Sequence, residues 1–138
     1  VRGLKTRTYH LFISHSWSYS DQYKHLERLL QQEPHFDFKN YSVPKNDPVH
    51  TNGTDKELRE AIERKIRPCS VVLILAGVYA SYSKWIDKEI DIARNSYKPI
   101  IAIEPRGSEK TSQVVKDNAD KIVGWDTGSI VNAIRESG

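Results

Sequence analysis

The chain has 138 residues and a mass of 15.9 kDa, the size of one domain built on one core. Hydrophobic residues are 38% and charged residues 28%, which excludes collagen-like, coiled-coil and disordered classes. The formal charge is +3, but the 21 Lys and Arg are dispersed among 18 Asp and Glu, so no clustered nucleic-acid-binding face is expected, whereas a small anionic ligand fits this balance.

Residues 9–14 (YHLFIS) are a short apolar run and predict a buried first strand. Residues 18–32 follow with Tyr23, Leu26, Leu29 and Leu30 at helical spacing. Ser18 or Ser20 can cap this helix, and Pro34 stops it. Residues 36–41 (FDFKNY) alternate as a second strand. Residues 42–52 hold Pro44, Asn46, Asp47 and Pro48 and read as an irregular loop. Thr54 and Glu57 have the spacing of a capping box. The helix they open carries Leu58, Ala61, Ile62 and Ile66 on one stripe and ends at Pro68.

Residues 69–76 (CSVVLILA) give the strongest strand signal, with the strand proper at 70–76. It is apolar at successive positions, which predicts burial on both faces and hence a central parallel strand. Its apolar run is too short to span a bilayer. Ser83 can cap a helix over 84–96 with Ile86, Ile90 and Ala93 apolar. A fourth strand is expected at 99–104, a short helix near 111–117, and a fifth strand at 121–124. A closing helix over 130–135 is expected to be capped near Thr127 or Ser129.

Strict strand–helix alternation predicts a single domain over 1–138. Its class is α/β, a flavodoxin-like three-layer α/β/α fold with a five-stranded parallel sheet in the order 2-1-3-4-5. Ligands of such sheets bind at the carboxyl ends of the strands, where the strand order reverses. That rule selects the segments after strands 1, 2 and 3. It gathers Ser14, His15, Trp17, Asn40, Tyr41, Trp85 and Glu89 into one expected cleft.

The first segment, Ser14-His15-Ser16-Trp17-Ser18, lacks the paired acids of a response-regulator receiver and any Gly-rich phosphate loop. Its hydroxyls suit phosphate or ribose and Trp17 suits stacking on a base. Helix capping by the serines and packing of Trp17 under a loop account for the same residues equally well. In the third segment Trp85 and Glu89 are four apart and share a helix face. On the residues alone, Glu89 reads first as a solvated helix residue paired with a nearby Lys. Partial desolvation beside the Trp85 ring is the alternative.

Three pieces together resemble the Toll/interleukin-1 receptor (TIR) domain family. The His10-Leu11-Phe12-Ile13-Ser14-His15-Ser16 strand is similar to its first box. The loop after strand 2 takes the place of its BB loop, and Ser83-x-Trp85-x-x-x-Glu89 is similar to its Ser-x-Trp-x-x-x-Glu pattern. The resemblance runs over nearly the whole chain. It is closest to the TIR-like branch of bacterial antiphage systems such as Thoeris. Ile86 stands where many relatives have Cys, and the strand 2 loop lacks the Gly-rich wording of receptor domains.

The resemblance implies an NAD⁺ glycohydrolase or cyclase that releases nicotinamide and yields ADP-ribose or a cyclic product. It implies Glu89 as the catalytic carboxylate. Ser14, His15, Trp17, Asn40, Tyr41, Ser83 and Trp85 are then expected around the substrate. No cofactor or metal is expected, with NAD⁺ acting as substrate. Expected partners are NAD⁺, further TIR domains and a downstream protein that senses the product, with neither nucleic acid nor membrane among them. The competing reading is a non-catalytic scaffold that works through TIR–TIR assembly. A third is a nucleoside glycosidase or transferase, since deoxyribosyltransferases share a similar sheet and also use a glutamate.

Cys69 is the lone cysteine. It permits no intrachain disulfide and fits a reducing, cytoplasmic setting. Its place before an apolar strand marks a buried, inert thiol.

Overall fold

The computed structural model describes residues 8–14, 20–34, 36–41, 54–75, 84–104 and 113–137. The strands are β1 (Thr8–Ser14), β2 (Asp37–Asn40), β3 (Val71–Leu75), β4 (Ile100–Glu104) and β5 (Lys121–Gly124). Between them run α1 (Ser20–Gln32), α2 (Asp55–Ile66), α3 (Lys84–Asn95) and α4 (Gln113–Asn118), and α5 (Thr127–Ser137) closes the chain.

All neighbouring strands pair in parallel, in the order β2-β1-β3-β4-β5. The expected fold class and strand order are therefore the observed ones. The sequence patterns explain the order. β3 is buried at all five positions and β4 at four of its five, as covered central strands must be. β2 and β5 alternate between partly buried and exposed residues and take the two edges.

The pleat of the sheet sorts the core into two layers. Leu11, Ile13, Val71, Leu73, Ile101 and Ile103 pack with Leu26 and Leu30 of α1 and Ile130 and Ile134 of α5. Phe12, Val72, Ile74, Ile100 and Ala102 pack with Ile62 and Ile66 of α2, Ile90, Ile92 and Ala93 of α3, and Val115 of α4. Right-handed crossovers put helices on both faces in this way.

The helix ends follow local chemistry. Glu57 N donates to Thr54 Oγ1 at 3.2 Å, so Thr54 caps α2 as read, while the Glu57 carboxylate accepts from the Thr54 hydroxyl at 3.2 Å and not from its backbone as a full capping box would have it. The cap of α5 is a correction. It is Asp126, whose carboxylate accepts from Ser129 N and Ser129 Oγ, each at 2.9 Å. The helix accordingly starts three residues before position 130. A carboxylate outcompetes the hydroxyls of Thr127 and Ser129 at this end because it accepts two bonds and favours the positive helix pole.

Helix α3 ends in a Schellman motif. Lys98 N donates to Ala93 O at 2.9 Å and Tyr97 N to Arg94 O at 3.1 Å. Tyr97 takes a φ of 58°, the left-handed turn this motif requires.

Candidate functional site

The carboxyl end of the sheet is built by β1, β3 and the start of α3. Ser14 ends β1 and pairs with Ile74 of β3. Glu89 lies five residues into α3, about 7.5 Å along its axis from Lys84. Ile92 and Ala93, three and four residues further on, are 1% and 0% exposed. Glu89 stands one turn above them on the same sheet-facing side.

Glu89 is only 6% exposed and is the sole charged residue buried among the described residues. The reading of Glu89 as a solvated helix residue is thus overturned. The helix phase that buries Ile92 and Ala93 buries Glu89 as well. Asp87, two residues earlier, is exposed on the outer side. Helix α3 is braced from outside by an ion pair between Arg59 of α2 and Asp91, 2.6 Å apart.

The end of β2 divides the expected binding residues between the two faces. Asn40 pairs with Leu11, three residues short of Ser14. Its amide donates to Glu27 Oε2 of α1 at 3.0 Å, so it faces the α1 layer and is not brought together with Glu89. Tyr41, the next residue, takes the opposite face and packs against the layer that holds α3. Successive residues of a strand alternate faces, and the expected cleft set overlooked this for 40 and 41.

Tyr41 Oη lies 3.0 Å from His10 Nδ1, and the two rings stack at 5.3 Å with 24° between their planes. His10, a polar residue in the middle of an apolar strand, is thus partly covered by the Tyr41 ring. His15, Trp17 and Ser83 lie outside the described residues, as do the side chains of Ser14 and Trp85.

Cys69 is buried, and its thiol contacts Lys65 O at 3.2 Å. Burial pushes its pKa from 9.0 up to about 12, against an opposing pull from Lys98. It is an inert core thiol, as read. Among the described residues, no group of three acidic, His or Cys side chains could hold a metal ion, and no helix is long and apolar enough to cross a membrane.

Solved structures share this fold at low identity. A conserved protein from Enterococcus faecalis V583 aligns with a TM-score of 0.62 at 11% identity, over 94% of this chain and 99% of that one. The response regulator domain of Thermotoga maritima CheB aligns at 0.57 and 7%, over 95% and 96%. The CMP N-glycosidase BcmB of Clostridium botulinum aligns at 0.54 and 14%, over 92% and 98%. No curated protein matches the sequence.

The profile of the family described as "Thoeris protein ThsB, TIR-like domain" matches residues 12–110. The match takes in the end of β1, the segment after β2, and α3 with Trp85 and Glu89. It extends over well more than half of the chain, and the chain belongs to this TIR-like family of the Thoeris antiphage defence protein ThsB.

Proposed function

We propose that this domain cleaves the nicotinamide–ribose bond of NAD⁺, with Glu89 as the catalytic carboxylate. The observation that carries the reading is the burial of Glu89. Holding a carboxylate out of water costs several kcal/mol before its interactions offset it. Buried ionisable groups of this kind concentrate at functional sites. Glu89 is such a group among the described residues, on a helix that follows β3 and so starts at the carboxyl end of the sheet, where folds of this class bind their ligands.

The chemistry suits one carboxylate. As the C1′–N bond of NAD⁺ breaks, positive charge grows on the ribose ring. A negative group fixed beside it, in a site poor in water, stabilises that charge without having to reorganise. Nicotinamide leaves as a neutral molecule, so the departing group needs no proton. Water at C1′ then gives ADP-ribose, and attack from within the same molecule gives a cyclic product.

Ser14, His15, Trp17, Ser83 and Trp85 are proposed around the substrate, with Tyr41 on the face of Glu89. Asn40 enters the proposal as a brace between β2 and α1. The CMP N-glycosidase BcmB supports the reading to this extent: its name records an N-glycosidic cleavage on the same fold. Incubation of the purified domain with NAD⁺ and quantification of nicotinamide tests it. Glu89→Gln is expected to abolish most of the release, and wild-type protein with no release above buffer overturns the proposal.

A further inference from the structure

A cavity of about 380 Å³ opens at the amino end of the sheet, lined by Arg94, Tyr97, Lys98, Pro99 and Asp120. Pro99 leads into β4 and Asp120 into β5. The length of β4, about 13 Å, therefore separates this cavity from the carboxyl end of the sheet. Its volume falls in the range of small-molecule sites.

Asp120 is fixed in place. Its amide donates to Ile100 O and its Oδ2 accepts from Ile100 N, each at 2.8 Å, which leaves Oδ1 to accept from a ligand. Arg94 and Lys98 supply positive charge. Arg59 and Arg67 pair with Asp91 and Glu63, whereas neither Arg94 nor Lys98 forms an ion pair among the described residues. The end of α3 does not need them. Ile92 O, Ala93 O and Arg94 O accept from Ser96 N, Lys98 N and Tyr97 N, so the last turn satisfies its own carbonyls.

Tyr97 is the outlier of the group. It is 93% exposed and holds the left-handed φ of 58°, where a Cβ is unfavourable and glycine is at ease. Core packing does not explain a tyrosine there, because the side chain lies in water. Strain of this kind persists where a side chain serves a ligand. With Pro99, Tyr97 forms the apolar wall of the cavity, beside two cations and one carboxylate.

We propose that this cavity binds a nucleoside phosphate: the phosphates pair with Arg94 and Lys98, the base stacks on Tyr97, and Asp120 Oδ1 accepts from a ribose hydroxyl or a base amino group. Guanidinium and ammonium groups hold phosphate by charge-assisted hydrogen bonds, and an aromatic ring receives the face of any base. This site is separate from that of Glu89 and independent of the cleavage reading.

ADP is the probe, since it carries base, ribose and phosphates and has no nicotinamide to lose. Its titration into the intact domain, followed by amide NMR shifts, is expected to saturate and to move residues 94–100 and 120. Arg94→Gln and Lys98→Gln are each expected to weaken ADP about 5- to 20-fold, and Tyr97→Gly by a similar factor. Because Tyr97→Gly relieves the backbone, its loss of binding cannot come from unfolding. Pyrophosphate should move the same residues at higher concentration and be indifferent to Tyr97→Gly. Three results overturn the proposal: no saturable binding of ADP, affinity unchanged in Arg94→Gln and Tyr97→Gly, or shifts confined to β1 and the start of α3. Pyrophosphate binding as tightly as ADP overturns it too, since the cavity then reads phosphate alone. None of these readouts uses turnover of NAD⁺, so failure of the cleavage reading leaves them standing.

Discussion

Glu89 concentrates the functional argument in one side chain. Glu89→Gln keeps the size and reach of the side chain and removes its charge. If that charge stabilises the ribose cation, nicotinamide release should fall about 10²- to 10³-fold, roughly 3–4 kcal/mol. The melting temperature should hold or rise, because the burial cost of a charge disappears while an amide still hydrogen-bonds. Asp87→Asn is the control, since Asp87 is exposed, and cleavage should stay within about 2-fold of wild type. Cys69 offers a second test. Its thiol keeps its proton in the fold up to about pH 12, against 9.0 ordinarily. Folding stability linked to it is therefore complete below pH 9 and lost as pH rises from 9 toward 12. Thiol-specific reagents at pH 8 should label the native domain far more slowly than the urea-unfolded chain.

At the level of elements, the sheet was legible because the apolar runs of β3 and β4 cannot be satisfied by anything except a doubly covered strand. The Thr54 cap of α2 was legible because Thr followed by Glu at that spacing has few other uses. The cap of α5 was misread because Asp126 stands among three capable residues, and spacing alone does not say which meets the free amides. At the candidate site, the helix position of Glu89 was legible but its burial was not, because the capping and stripe pattern of α3 does not fix which polar residue turns to the sheet, and Asn40 was put on the wrong face, since the point at which a strand ends decides which neighbour faces which layer. Asp126→Ala should lower stability by about 1 kcal/mol in urea unfolding. Tyr97 supplies the opposite case. It is 93% exposed and left-handed at φ 58°, a conformation that costs a residue with a Cβ about 1–2 kcal/mol. Tyr97→Gly should raise the urea midpoint, with a gain of about 0.5–1 kcal/mol after the added freedom of glycine in the unfolded chain is subtracted.

For the whole molecule, the two core layers hold the sheet rigid while the chemistry is proposed at its carboxyl end, where β1 and β3 separate the directions of winding. A site at such an edge can be completed by a second copy. Residues 42–52, which lie outside the described residues, are the proposed donor segment. Activity per molecule is then expected to rise with protein concentration, and a value flat over a hundredfold range would remove assembly from the account. The central claim is the cleavage itself, and mass spectrometry of NAD⁺ incubated with wild-type domain and with Glu89→Gln tests it most directly. The account predicts nicotinamide together with ADP-ribose or a cyclic isomer from wild type, and only traces from the variant. Equal product from both proteins, or none from wild type across the full concentration range, would contradict it.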